Sequence, residues 1–141
     1  MRLRRDSDAG SSMAVSRNGH GLRSLDGETI QIWGDGEATK DYIYVEDIVK
    51  AVVSLMKKGF DQSVYNVSSG VGRSLVDIIE SIGDIYGRQP KVEHLPPRLY
   101  DVKNVVLSSN KLQSRTGWKP AISFEDGLVR TIEWIKQTKK S

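Results

Sequence analysis

The chain has 141 residues, 38% of them hydrophobic and 28% charged, with no cysteine and a formal net charge of +3. That length bounds it to one ordinary domain with a core of its own, and the lack of cysteine excludes a disulfide framework and the commonest zinc sites, leaving a cytoplasmic protein as the default expectation. No apolar run nears the roughly 20 residues that cross a bilayer, and Arg2, Arg4 and Arg5 lead into no apolar segment, so neither export nor membrane insertion is expected.

The positive charge is local. Residues 1–24 hold Arg2, Arg4, Arg5, Arg17 and Arg23 against Asp6 and Asp8, which accounts for the whole excess of +3. Their low apolar content predicts an irregular or disordered basic arm ahead of a neutral domain over 25–141. A nucleic-acid contact through that arm is the less supported reading.

Residues 29–33 alternate as a strand does, with Ile30 and Ile32 on one face and Gln31 and Trp33 on the other. Gly34-Asp35-Gly36 breaks the strand, Tyr42-Ile43-Tyr44-Val45 starts another, and Lys40 sits where the turn becomes strand. A helix is predicted over 46–58, with Glu46 and Asp47 in its first turn, a buried stripe of Ile48, Val49, Val52, Val53 and Met56, and Gly59 as its stop. Val64–Val67 reads as a short strand turning through Ser68-Ser69-Gly70-Val71-Gly72 into a second helix. There Ser74 and Asp77 form the cap, and Leu75, Ile78, Ile79, Ile82 and Tyr86 the buried stripe.

Lys91–Leu95 is a further strand, kept short and peripheral by Pro96-Pro97. Val102–Leu107 is another. Ser108 or Ser109 caps a short helix ending near Thr116, and from Ser123 a last helix carries Phe124, Leu128, Val129, Ile132 and Ile135 at helical spacing behind a Ser123–Asp126 cap. Trp118 and Trp134 are expected to cover the core. Asp41, Tyr44 and Asp47 are expected to be architectural. His20 and His94 have no second ligand near them in sequence, so no metal site is expected.

The run Gly34-Asp35-Gly36, then Lys40-Asp41-Tyr42-Ile43-Tyr44-Val45-Glu46-Asp47, resembles the corresponding segment of the NAD-dependent nucleotide-sugar epimerases and dehydratases, the extended short-chain dehydrogenase/reductase family, and within it the UDP-glucose 4-epimerase-like proteins. The likeness extends over about residues 25–137. Members carry an N-terminal Rossmann half with a Gly-x-x-Gly-x-x-Gly loop for NAD, and a Tyr-x-x-x-Lys pair whose tyrosine moves protons. Neither motif occurs here: Tyr42, Tyr44, Tyr65, Tyr86 and Tyr100 are followed four residues later by Glu46, Ile48, Ser69, Pro90 and Asn104. Gly70-Val71-Gly72 lacks a third glycine, Leu75 standing in its place, and reads as a structural turn.

The resemblance therefore implies an α/β (α+β) fold of short strands and about four helices, the small C-terminal substrate-binding domain with the Rossmann half absent. It implies no catalytic residue and no cofactor in this chain alone, NAD belonging to the full-length enzyme. By the same resemblance Lys40 and Arg98, the latter within Pro96-Pro97-Arg98-Leu99-Tyr100-Asp101, grip a nucleotide diphosphate, Asp101 bonds the ribose, Trp33 lies against the base and the backbone of Gln31 reads its edge. The charge logic is general, since two buried phosphate charges require cations from different directions. Lysine instead of the family's usual arginine at position 40 keeps the charge and gives up the bidentate fork. The expected partner is a nucleotide-diphosphate sugar, together with a separate Rossmann half or a second copy to cover the surface that half leaves open. A non-enzymatic interaction domain that keeps the fold for its surface is the alternative.

Overall fold

A computed structural model describes residues 29–59, 61, 63–97 and 102–138. Five short strands and four helices alternate along them: β1 Ile30–Trp33, β2 Thr39–Asp41, α1 Val45–Lys58, β3 Gly72–Arg73, α2 Leu75–Tyr86, β4 Val92–Leu95, β5 Asn104–Val105, α3 Asn110–Thr116 and α4 Phe124–Thr138. The mixed α/β class agrees with the expectation. The basic arm, Arg98 and Asp101 lie outside the described residues.

The strands form two small sheets. β1 pairs in parallel with β4, and β2 lies between antiparallel β3 and parallel β5. Ile30 and Ile32 are buried while Gln31 and Trp33 point outward, as the alternation predicts. Gly36 closes the turn after β1 at φ +78°, and a Cβ there would meet Ile32 Cδ1 and Val76 Cγ2 at 3.0 Å. Its carbonyl also accepts the first amide of α2 at 3.0 Å, so a side chain at this position would push the turn off the helix.

α2 is the central post. Ile79 packs on Ile30 and Ile32 of β1, while Ile78 and Ile82 pack on Leu128 and Ile132 of α4. Its start is the predicted reciprocal cap, with Ser74 Oγ accepting from the Asp77 amide at 3.0 Å and Asp77 Oδ2 accepting from the Ser74 amide at 2.8 Å. Gly87 ends it in the left-handed conformation. α1 and α3 enclose a separate cluster of Ala51, Leu112 and Trp118.

Several local expectations differ in the structure for identifiable reasons. The strand expected over Tyr42–Val45 lies earlier, at Thr39–Asp41, where β3 and β5 supply its ladder partners. Val64–Val67 forms no strand: Val64 is exposed and its carbonyl is taken by Lys111 Nζ at 3.0 Å, so no ladder partner is needed. Ser109 stands at the N-cap of α3 but its hydroxyl donates to the Ser68 carbonyl at 3.1 Å, and it is the Ser108 hydroxyl that accepts from the Asn110 amide, at 3.3 Å. Trp134 is exposed, whereas Trp118 is buried as expected. The predicted buried stripe of α1 faces outward, and Asp47 and Ala51, both 0% exposed, face in. Asp47 tolerates burial because its Oδ2 accepts from the amides of Ala121 and Ile122, each at 2.9 Å, and its carbonyl accepts from Trp118 Nε1 at 3.1 Å.

Candidate functional site

β1 and β4 run side by side, and two of the predicted site residues, Gln31 and Trp33, lie on β1. Trp33 is the Cα partner of Leu95 and Gln31 that of Glu93. The Gln31 amide side chain donates to Glu93 Oε2 at 2.9 Å. Beyond Leu95, the Gly34 amide donates to the Leu95 carbonyl at 2.9 Å, the His94 Nδ1 donates to the Gly34 carbonyl at 2.8 Å, and Pro97 comes against Gly34, 3.5 Å from where a Cβ would stand. His94 thus has a local structural bond. The other edge of β1 pairs with no strand among the described residues.

Lys40 sits on the other sheet. It is half-buried at the middle of β2, with Arg73 its Cα partner on one side and Val105 on the other. Thr39 Oγ1 donates to Asn104 Oδ1 at 2.6 Å, fastening β5 beside β2. The chain that holds Arg98 and Asp101 therefore leaves the described structure at Pro97, against the end of β1, and re-enters it ahead of β5, alongside Lys40. Trp33 and Lys40 stand near the two ends of that excursion. Trp33 is about half exposed, as a stacking ring must be.

The turn at Gly70–Gly72 does not fit a dinucleotide phosphate. The amides of Ser69 and Gly70 both donate to the Asp41 carboxylate at 2.8 Å, and the Ser69 hydroxyl adds a third bond at 2.7 Å. A carboxylate from the chain itself thus occupies the position where a phosphate would bind in a glycine loop. A Cβ at Gly72 would meet Val106 Cγ2 at 2.8 Å, so close packing against Val106, the residue after β5, explains that glycine. Asp41 is architectural, as its sequence context implied.

A cavity of about 640 Å³ opens elsewhere, lined in part by Tyr42, Tyr44, Val71, Arg73, Phe124 and Leu128. Among the described residues, the predicted contacts Gln31, Trp33 and Lys40 do not line it. Arg73 stacks on Phe124 at 4.3 Å and pairs with Glu125 at 2.8 Å, so its charge is met locally, and burial raises the Tyr42 phenol pKa. The lining suits an apolar group. Nothing in the local sequence pattern pointed to it, because its walls come from three segments distant along the chain. Among the described residues no cluster of three metal-ligating side chains occurs and no helix is long and apolar enough to cross a membrane.

This small mixed α/β arrangement is the one found in the extended short-chain dehydrogenase/reductase epimerases and dehydratases. The profile of the family described as GDP-mannose 4,6 dehydratase matches residues 20–131, and the chain belongs to this family of NAD-dependent nucleotide-sugar epimerases and dehydratases. The UDP-glucose 4-epimerase of Mycolicibacterium smegmatis is 31% identical over 112 residues, 79% of this chain and 36% of that protein. A UDP-glucose 4-epimerase of Thermotoga maritima, solved with UDP-glucose, matches with a TM-score of 0.79 and 36% identity over 84% of this chain and 38% of that one. A UDP-glucuronic acid 4-epimerase of Bacillus cereus, solved with NAD, matches with a TM-score of 0.75 and 25% identity over 84% and 38%. The chain thus spans well under half the length of these relatives.

Proposed function

We propose that this chain is the C-terminal, nucleotide-sugar-binding part of an NAD-dependent sugar epimerase or dehydratase, and that over 25–141 it holds the nucleotide end of a UDP-sugar-like ligand without catalysing turnover alone. Lys40 and Arg98 take the diphosphate, Asp101 the ribose, Trp33 the base face and the backbone of Gln31 the base edge. NAD, where the rest of the family's fold is present, supplies the reversible hydride acceptor. This chain contributes binding and orientation of the sugar, which convert an encounter into a positioned reaction.

The observation that carries the reading is the pairing of β1 with β4 and of β2 with β5, which sets Trp33 and Lys40 at the two ends of the segment bearing Arg98 and Asp101. The edge of β1 that pairs with no strand among the described residues supports the base contact assigned to Gln31. UDP or UDP-glucose is expected to raise the melting temperature of the purified chain, and Arg98→Ala to abolish the rise. No response to either ligand overturns the binding role, and NAD-dependent conversion of UDP-galactose by the purified chain overturns the inactive one.

A further inference from the structure

Gly34, the residue directly after Trp33, is held from β4 on both sides. Its amide donates to the Leu95 carbonyl at 2.9 Å, and its carbonyl accepts from the His94 imidazole at 2.8 Å, across 60 positions of sequence. A carbonyl has no proton to give, so His94 Nδ1 is the donor. Gly34 sits in the left-handed region at φ +73°. Glycine leaves that region at little cost, so the backbone carrying the Trp33 ring is not fixed by the turn residue itself. What fixes it comes from the neighbouring strand.

His94 is the Cα partner of Ile32, so by the pleat it shares the face of β1 to which Ile32 belongs and not the outward face from which Trp33 projects. It therefore reaches the turn through the backbone and does not meet a base stacked on the ring. The imidazole is exposed and belongs to none of the buried clusters, so the core does not depend on it. Its place joins two of the proposed ligand contacts: Gly34 follows Trp33, while His94 precedes Arg98 by four residues, and between them Pro97 lies 3.5 Å from where a Gly34 Cβ would stand. We infer that His94 is a positioning residue of the nucleotide site, whose Nδ1–H pins the Gly34 carbonyl and so holds the Trp33 ring ready for the base. A ring ordered before the ligand arrives spares the cost of ordering it on binding. This inference rests on the proposed role of Trp33.

The test is isothermal titration of the full chain with UDP, together with the ¹⁵N order parameter of the Trp33 indole N–H without ligand. His94→Ala removes the donor and is expected to weaken binding by about threefold to tenfold, the worth of one hydrogen bond, with little change in melting temperature. His94→Asp offers a carbonyl only acceptors and is expected to lose at least as much, whereas His94→Asn puts an amide N–H where Nδ1 stands and is expected to bind as the natural chain does. In a Trp33→Ala chain the added His94→Ala is expected to cost less than about twofold, because the residue acts through that ring. The Trp33 indole is expected to lose order in His94→Ala and to keep it in His94→Asn. Unchanged affinity in His94→Ala, equal losses in His94→Ala and His94→Asn, losses that multiply in the double variant, or an indole equally ordered in every chain overturns the inference. Failure of the natural chain to bind UDP overturns the proposed function instead, and the indole order then decides by itself whether His94 places Trp33.

Discussion

Lys40 and Arg73 face each other as directly paired residues on β2 and β3, two cations on the same side of a small sheet. Like charges so placed repel. Arg73 resolves the conflict by turning to Glu125 Oε1 at 2.8 Å and stacking on Phe124. Lys40, across from it, is the cation proposed for the diphosphate.

The Lys40 proposal makes position 40 sensitive to geometry as well as charge. Lys40→Ala is expected to weaken UDP binding by about tenfold to a hundredfold, the usual worth of a hydrogen bond to a charged group. Lys40→Arg is expected to bind at least as tightly as the natural chain, because guanidinium restores the fork. Isothermal titration with UDP separates the two, and equal affinities for all three proteins would remove Lys40 from the site.

Trp33 is expected to contribute affinity without choosing the base. Trp33→Ala should cost roughly 1–3 kcal/mol of binding for UDP and dTDP alike, since stacking tolerates every base. The melting temperature without ligand should change little, because the ring stands outside the buried clusters. A loss confined to one nucleotide would contradict the stacking role.

Asp47 is the fold's main polar tie. Asp47→Ala strands the amides of Ala121 and Ile122 in a half-buried setting and is expected to destabilise the chain by about 3 kcal/mol or more. Asp47→Asn keeps one acceptor oxygen and should cost less. Urea midpoints read both, and an alanine variant as stable as the natural chain would mean those amides find another acceptor.

The start of α2 gives a pH prediction. The Ser74 amide, and then its hydroxyl, hold the Asp77 carboxyl below its ordinary 3.8, so the native state favours the ionised form. That contribution is complete above about pH 4 and fades as the pH falls through the lowered native value. Acid titration followed by circular dichroism should show Asp77→Asn losing stability at neutral pH and losing less of it than the natural chain on acidification. Ser74→Ala should cost about 1 kcal/mol at pH 7.

Much of the fold was legible because it is written locally. The alternation of Ile30 to Trp33, the cap at Ser74 and Asp77, and the spacing of Ile78, Ile79 and Ile82 each express one element's own period. Family membership was legible from one ungapped run, Lys40 through Asp47. The candidate site was only partly legible: the positions of Lys40, Trp33 and Gln31 follow from strand register, while the cavity walled by Tyr42, Arg73 and Phe124 gathers residues that no local pattern links.

The sequence by itself determined where the four helices begin, which residues share a face, and which family the chain belongs to. Only the tertiary structure decided which face of α1 turns inward. Periodicity measures the angle between side chains and is blind to what lies opposite them. Asp47 could be buried in place of five aliphatic residues only because the amides of Ala121 and Ile122, 74 and 75 positions away, arrive to replace the water it gives up.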